Sequence, residues 1–386
     1  MSNFSGADFE FPQNLPKVTF ADANPAAVLA RLIKKYQGDS KKTLYPGDPE
    51  SLLFKSVAYE LSVALGLIDF TGKQNLLAEA VDDFLDQIGA FHGVERLTNT
   101  PSRTVQRIFA EPGLNFSVPL ADTLRVTPDN KIFFRLTEGA AIPPAASATE
   151  MPHVDVIVEC LTPGLIGNGF EPGQINVLVD PQPYVSLTMN ISASSGGADI
   201  EDDDHYRRRI YLALEGYSTA GPEGAYQFWT YSASPLISDV AVLSPLPCDI
   251  EVYPLLAGGE LPDQAMLDKV IENLSPRNRR PMGDRLTVKA PLETFFRVEG
   301  VYYISRADSG LVGSIQAAVQ QAGADYAAWQ GAKLGRDIVP DELYTRVRAA
   351  GAKRLMLTSP EFTAVPENAV ARATEVSLTF GGFEDA

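Results

Sequence analysis

The stretch from Gly216 to Pro245, GYSTAGPEGAYQFWTYSASPLISDVAVLSP, constrains the fold more than any other part of this chain. Gly216 can stop one helix, and Gly221-Pro222 starts another. Proline's fixed φ suits the first helical position, where its missing N–H would have had no partner anyway. Ala225, Phe228, Trp229 and Ser232 then recur at helical spacing, which predicts a small, aromatic helix face docked onto a neighbour. Asp239 to Leu243 reads as a short buried strand between Pro235 and Pro245. None of these side chains is equipped for catalysis; the segment holds a geometry.

On either side the periodicity changes, and the changes divide the chain. Residues 1–98 read as a helical N-terminal region. Asn24-Pro25 opens a helix that Gly38 can close, and Asp48-Pro49 opens a second. In the second, Leu53, Val57, Leu61, Leu65 and Ile68 make an apolar stripe at intervals of three and four. It can continue through Gln74, Leu76 and Leu77, weakened by Gly66 and Gly72, and a third short helix covers Val81 to Ile88. Residues 99–191 switch to period two and dense turns. Val154 to Cys160 is a strand, TPGLIGNGFEPGQI a run of turns, and Asn176 to Val179 a second strand. AAIPPAASAT at 140–149 has the composition of a linker or of a loop between strands.

Residues 192–235 form a helical insert whose first helix carries Glu201 to Asp204 in its first turn, where the helix dipole favours negative charge. Residues 236–386 alternate strands (near 239–244, 249–256, 285–290, 294–304, 353–358 and 374–380) with helices (near 262–274, 310–330 and 340–350). Pro262 and Pro340 are placed at helix starts. The fold class is α+β and multidomain: a helical N-terminal region, a β-rich middle and a C-terminal mixed region of split βαβ character.

Composition bounds the function. At 386 residues the chain has room for about two to four domains, and 45% hydrophobic against 21% charged residues is ordinary for a folded protein. A net charge of −17 repels phosphate backbones, which disfavours nucleic acid and anionic membranes as partners. No run approaches the roughly 18 apolar residues of a membrane span, and MSNFSGADFEFPQN lacks the basic and apolar regions of a secretion signal. The expectation is a chain made in the cytosol without membrane insertion. Cys160 and Cys248, with no Cys-x-x-Cys spacing, are expected to be buried free thiols.

A search for catalytic chemistry returns only look-alikes. His92, His153 and His205 are far apart, and no His-Glu-x-x-His or Cys/His cluster supports a metal. GLIDFTGKQ at 66–74 has the wrong glycine spacing for a phosphate loop, and Gln74 stands where Ser or Thr must meet magnesium. Gly216-Tyr217-Ser218-Thr219-Ala220 approximates a nucleophile elbow but follows a helix instead of a strand, and no histidine lies beyond His205. EDDDHY lacks the alternating oxygens of a calcium loop. No catalytic, metal or cofactor-binding residue is assigned, and no cofactor is expected. Two basic clusters remain: Arg207, Arg208 and Arg209, and Arg277, Arg279 and Arg280. They are either solvated faces with local ion pairs or contacts to acidic patches on neighbouring subunits.

The order of several segments resembles a known family. These are YPGDPESLLFKSVAYELSVALGLIDFTGKQNLLAEA at 45–80, LDQIGAFHGVERL at 85–97, VECLTPGLIGNGFEPGQINVLVDPQPYV at 158–185 and SSGGADIEDDDHYRRRI at 194–210. The Gly216–Pro245 stretch follows, then LPDQAMLDKVIENLSPRNRRPMGD at 261–284 and LGRDIVPDELYTRVRAAGAKRL at 334–355. Collinear over most of the chain, they resemble the baseplate J-like proteins of contractile-tailed bacteriophages, tailocins and related contractile injection systems. Pro281-Met282-Gly283-Asp284 departs from that family's usual Pro-Leu-Thr-Asp.

The resemblance implies a structural, non-enzymatic protein of the tail baseplate in the virion, made and assembled in the host cytoplasm. Six wedges would close around a central spike and hub. Each wedge would hold two copies of this chain and a smaller baseplate I-like partner in a helical core bundle. A sheath-initiating, lysozyme-like baseplate protein would sit against the bundle, and C-terminal contacts would link wedges into a ring that helps to trigger contraction. Leu53, Val57, Leu61, Leu65 and Ile68 are the expected seam, or else the internal core of the N-terminal region. Arg207, Arg208 and Arg209 are further interface candidates. Two readings of other classes remain: a serine hydrolase centred on Ser218, and a glycan- or receptor-binding tail module built on 103–191.

Overall fold

A computed structural model describes residues 15–218, 220–276 and 278–385. The N-terminal residues 1–14, and Thr219 and Arg277 of the motifs above, lie outside the described residues. The fold is mixed α+β and multidomain. The described chain forms two compact units, one taking everything up to Arg96 together with Asp203–Ala213, the other Leu97–Asp202 and everything from Leu214 on.

The first unit is helical. α1 (Pro25–Ser40) begins at Asn24, whose side chain accepts the amides of Ala26 and Ala27. It runs through Gly38 and ends at Lys41, which takes the left-handed conformation that Gly38 was expected to supply. α2 (Pro49–Lys73) starts at Asp48, although the Asp48 carboxylate accepts the Tyr45 amide at 2.8 Å and makes no cap bond. The helix passes through Gly66 and Gly72 and stops at Lys73, short of Leu76 and Leu77. There the buried Gln74 takes over, accepting the Val81 amide at 3.0 Å. α3 covers Asp82–Phe91.

The second unit carries the strands. β1 (Arg103–Ala110), β2 (Val118–Leu120), β3 (Arg125–Thr127), β4 (Phe134–Leu136), β5 (Ala140–Ile142), β6 (His153–Cys160), β7 (Val177–Leu178) and β8 (Val185–Asn190) make the middle region. Six of them run β7-β3-β4-β6-β1-β8, and β2 pairs with β5. The ladder comes close to closing into a barrel, because the Asn190 amide reaches the Ile175 carbonyl beside β7. Ile108, Leu124, Val126, Phe134, Ile142 and Val158 fill its interior. The glycine-rich turns are stitched to the following segment by Asn168, whose side chain bonds both ways with the Gly197 backbone. The linker-like 140–149 opens as strand β5; its alanines are small enough to pair with β2.

α4 (Asp203–Gly216) starts two residues later than the acidic run implied, so Glu201 precedes it and is buried, accepting the Leu97 amide at 2.8 Å. α5 is Glu223–Tyr231. β9 (Ile237–Leu243) pairs antiparallel with β10 (Asp249–Leu256), α6 (Gln264–Leu274) crosses over, and β11 (Arg285–Val288) returns parallel to β10. α6 is capped by Asp263, which accepts the Met266 amide, so Pro262 lies outside the helix it was expected to start. In the C-terminal part β12 (Leu292–Ser305) is the central strand, antiparallel to β13 (Arg354–Ser359) and parallel to β14 (Ala369–Glu384). α7 (Val312–Gly331) and α8 (Pro340–Ala349) pack on this sheet around Val298, Tyr302, Val319, Tyr326, Leu343 and Val347.

Candidate interaction surfaces

α2 is the feature of the helical unit that most needs a partner. Its buried residues are Ser51, Ala58 and Ser62, so the face it turns inward is made of small side chains. α1 lies along that face: the Ser62 hydroxyl donates to the Ala23 carbonyl, and Tyr36 meets Phe54 edge-on at 5.1 Å. The large apolar residues point elsewhere. With about 3.6 residues per turn, Leu53, Val57, Leu61 and Ile68 line one side of the helix, with Leu53 61% and Ile68 56% exposed. Leu52, Tyr59, Val63 and Phe70 line a second exposed side, about 145° round the axis. Leu65 is half-buried near the α1 contact. The stripe read from the sequence is therefore not the face turned toward α1, and a second apolar side, spread among Ser, Ala and Gly, accompanies it.

The length and apolarity of α2 differ from the expectation that no segment approaches a membrane span. Among the described residues, Pro49–Lys73 is long and apolar enough, by length and composition, to cross a membrane. Counting uninterrupted apolar runs overlooked it because Ser, Thr, Gly and Tyr interrupt such a run at little cost in mean hydropathy.

The arginine cluster is engaged within the chain. Arg207 donates from Nε to the Leu77 carbonyl and from Nη2 to the Ala80 carbonyl, both at 2.8 Å, and pairs with Asp204 at 2.5 Å. Arg209 is buried and donates to the Glu95 carbonyl at 3.1 Å. Arg208 is half-buried and also has an interaction within the chain. These interactions clamp α4 against the chain around α3. Beside them Tyr206 is buried, donating to the Val94 carbonyl at 2.8 Å under the Arg96 guanidinium. Burial raises the Asp203 carboxyl, but the Asp82 amide and Arg96 outweigh it and hold it below the ordinary carboxylate value.

In the other unit α5 of the Gly216–Pro245 joint is enclosed on more than the expected face: Tyr226, Gln227, Thr230 and Tyr231 are buried with Ala225 and Phe228, whereas Trp229 and Ser232 are half-buried. Tyr226 and Phe228 are buried, and Gly216 lies so near Phe228 that an added Cβ would come within 2.5 Å of the ring. Trp229 stacks under the Arg279 guanidinium at 3.8 Å and accepts at its carbonyl from Asn273. Tyr226 donates to Asp284 at 2.5 Å, and burial together with that carboxylate pushes its hydroxyl well above the ordinary tyrosine value. Gly221 takes a φ of 77° against the Pro281 ring. The Pro281–Asp284 loop thus braces the turn between α4 and α5. Ser218 sits in that turn, accepting the Ala220 amide at 3.3 Å.

Among the described residues no group of three or more His, Cys, Asp or Glu could hold a metal ion. Cys160 is a buried free thiol, raised by its burial, whereas Cys248 is exposed at the turn between β9 and β10, contrary to expectation. The short β9–β10 connection leaves that side chain nothing to pack under.

Residues 106–197 match the Baseplate J-like protein barrel domain, residues 218–290 the Baseplate J-like central domain, and residues 306–379 the Baseplate J-like protein C-terminal domain. Baseplate protein J of Escherichia phage P2 is 30% identical over 190 residues, 49% of this chain and 62% of that protein. The chain thus spans less than two thirds of that relative's length. A chain in the six-fold symmetrised cryo-EM structure of the anti-feeding prophage baseplate matches over 90% of both chains, at 13% identity and a TM-score of 0.43.

Proposed function

The chain belongs to the baseplate J-like family, and on that premise we propose that it is a structural component of a tail baseplate wedge, packing through α2 against partner helices. In this reading two copies join a smaller baseplate I-like protein in each wedge, a sheath-initiating lysozyme-like protein sits against their bundle, and the ring they form surrounds the spike and helps to release the sheath. The protein would reside in the virion tail after assembly in the host cytoplasm. Its role is to be a part, not to turn over a substrate.

One observation carries the proposal: a 25-residue helix exposes two apolar sides while burying only small residues. Large apolar side chains covered by a partner contribute about 1.5–3 kcal/mol each when fully buried, so eight of them favour association strongly even after its entropic cost. Two such sides suit a bundle in which each helix meets more than one neighbour. A bilayer is the poorer cover. α1 runs alongside α2 and would bring Arg31, Lys34 and Lys35 to the depth of its apolar span.

The test is co-expression with the baseplate I-like protein of the same particle. Leu61→Asp is expected to abolish co-purification while leaving the strand-rich unit folded; unaltered co-purification would place the seam elsewhere. The hydrolase reading would require turnover that disappears in Ser218→Ala. A glycan-binding role for residues 103–191 would require saturable binding of host polysaccharide.

A further inference from the structure

We infer that the free edge of β9 is a docking strip for an extended segment of another protein, a segment that carries lysine or arginine. The inference does not depend on the α2 bundle, because β9 and everything that lines its edge belong to the strand-rich unit.

Register decides which backbone groups are free. β9 is an outer strand of the sheet β11-β10-β9. Val240 stands opposite Pro254 of β10, and Val242 opposite Val252. Proline has no N–H, so Val240 and Pro254 are not a pair that exchanges hydrogen bonds. The alternation of an antiparallel ladder then gives the bonds to β10 to the amides of Ala241 and Leu243. It turns the N–H and C=O groups of Val240 and Val242 to the open side. Pro254 itself lies beyond the pairing of β10 with β11, which ends at Val252 and Val288, so its missing N–H costs no ladder bond there. Among the described residues the outward groups of Val240 and Val242 have no partner. Val240 is nonetheless only 3% exposed. Buried backbone groups are nearly always paired, so this edge calls for donors and acceptors from outside the chain.

The side chains round the edge say what chemistry the partner has. Asp239 to Leu243 line one groove together with Leu334, Glu223 and Glu367. Asp239 is engaged, accepting the Leu334 amide at 2.8 Å. Glu223 accepts from the Gln227 side chain at 3.2 Å, and neither it nor Glu367 has an ion-pair partner among the described residues. Loss of solvent, and after it the Glu367 carboxylate, raise the Glu223 carboxyl above the ordinary carboxylate value, so a cation brought to the two is favoured. A second copy of β9 would bring the same carboxylates together, and like charges oppose that pairing. A strand with lysine or arginine at alternate positions meets both demands. Its backbone pairs with Val240 and Val242, and its cations reach Glu223 and Glu367.

The probe is a blocked octapeptide that alternates valine with lysine, set against one that alternates valine with glutamate, each titrated onto the full chain at low salt. The lysine peptide is expected to saturate and to bind at least about tenfold more tightly than the glutamate peptide. Hydrogen exchange should slow at the Val240 and Val242 amides when it is bound. Val242→Pro removes an outward donor and leaves the ladder to β10 in place. It should weaken binding at least about tenfold while unfolding followed by tryptophan is unchanged. Glu223→Gln/Glu367→Gln, on exposed side chains, should weaken binding of the lysine peptide by a similar factor and bring the two peptides level. If Val242→Pro fails to fold, this second variant and the exchange pattern decide. Absence of saturable binding, equal affinity of the natural chain for the two peptides, or slowed exchange confined to other segments would each overturn the proposal. So would undiminished binding by folded Val242→Pro, which marks a cationic peptide held only by the acidic surface.

Discussion

Gly89→Ala probes how α4 is held in the helical unit, and its cost follows from opposing effects. Alanine is about 1 kcal/mol better than glycine within a helix, so the change should stabilise α3 on its own. In the folded chain an added Cβ would lie 1.8 Å from the Tyr206 hydroxyl oxygen, 2.5 Å from Cζ and 2.9 Å from the Val94 carbonyl oxygen. Tyr206 is 1% exposed and held by its bond to the Val94 carbonyl. Displacing it costs about 1–3 kcal/mol of overpacking, about 1 kcal/mol for its hydrogen bond to Val94, and part of its contact with Arg96. The clash wins, with a net loss of about 2 kcal/mol.

The two units can be followed separately during urea unfolding. Both tryptophans, Trp229 and Trp329, lie in the strand-rich unit, and the other unit is helical. Gly89→Ala should lower, by about 1 M urea for a typical slope near 2 kcal/mol per M, the midpoint of the part of the helical circular-dichroism signal that melts apart from the tryptophans, and leave in place the tryptophan transition, with which α5 to α8 of the same unit melt. Gly38→Ala, in α1 with nothing within 4 Å of the added carbon, should instead gain about 0.5–1 kcal/mol. If Gly89→Ala behaves like Gly38→Ala, the packing of Tyr206 on α3 has been misread.

Two further expectations concern titration and exposure. Asp203 has a depressed carboxyl in the folded state, so its contribution is present above the ordinary carboxylate value near 3.9 and is lost as pH falls through that value and below. Asp203→Asn should therefore lower the helical midpoint near neutral pH and make progressively less difference below about pH 4; a difference that grows in acid would contradict the sign. A maleimide should label Cys248 rapidly in the native protein and Cys160 only on unfolding, since one thiol is exposed and the other is buried with its ionisation suppressed. Equal labelling rates would refute that assignment.

Much of the architecture was legible because local chemistry and global fold agree at particular residues. Asn24-Pro25, Asp48-Pro49 and Val339-Pro340 each open the helix they announce, and the alternating strands and helices after residue 236 fall where period and turns put them. Short strands escaped: β2 to β5 have three residues each, too few for a period of two to register. Helix ends also escaped, because the glycines at 38, 66 and 72 lie inside helices, while Lys41 and Gln74 form the ends. The arginines of α4 looked like surface charge because sequence does not show which backbone carbonyls wait opposite them. The α2 stripe was visible as a pattern, but that α1 would cover the small residues and leave the large ones open depends on tertiary packing.

The most direct measurement of the account is the mass and image of the complex formed when the chain is co-expressed with the other baseplate proteins of its particle. A wedge of two copies with one smaller partner, closing into a ring, is expected, and is lost in Leu61→Asp. A chain that stays monomeric alongside every one of those proteins would contradict it.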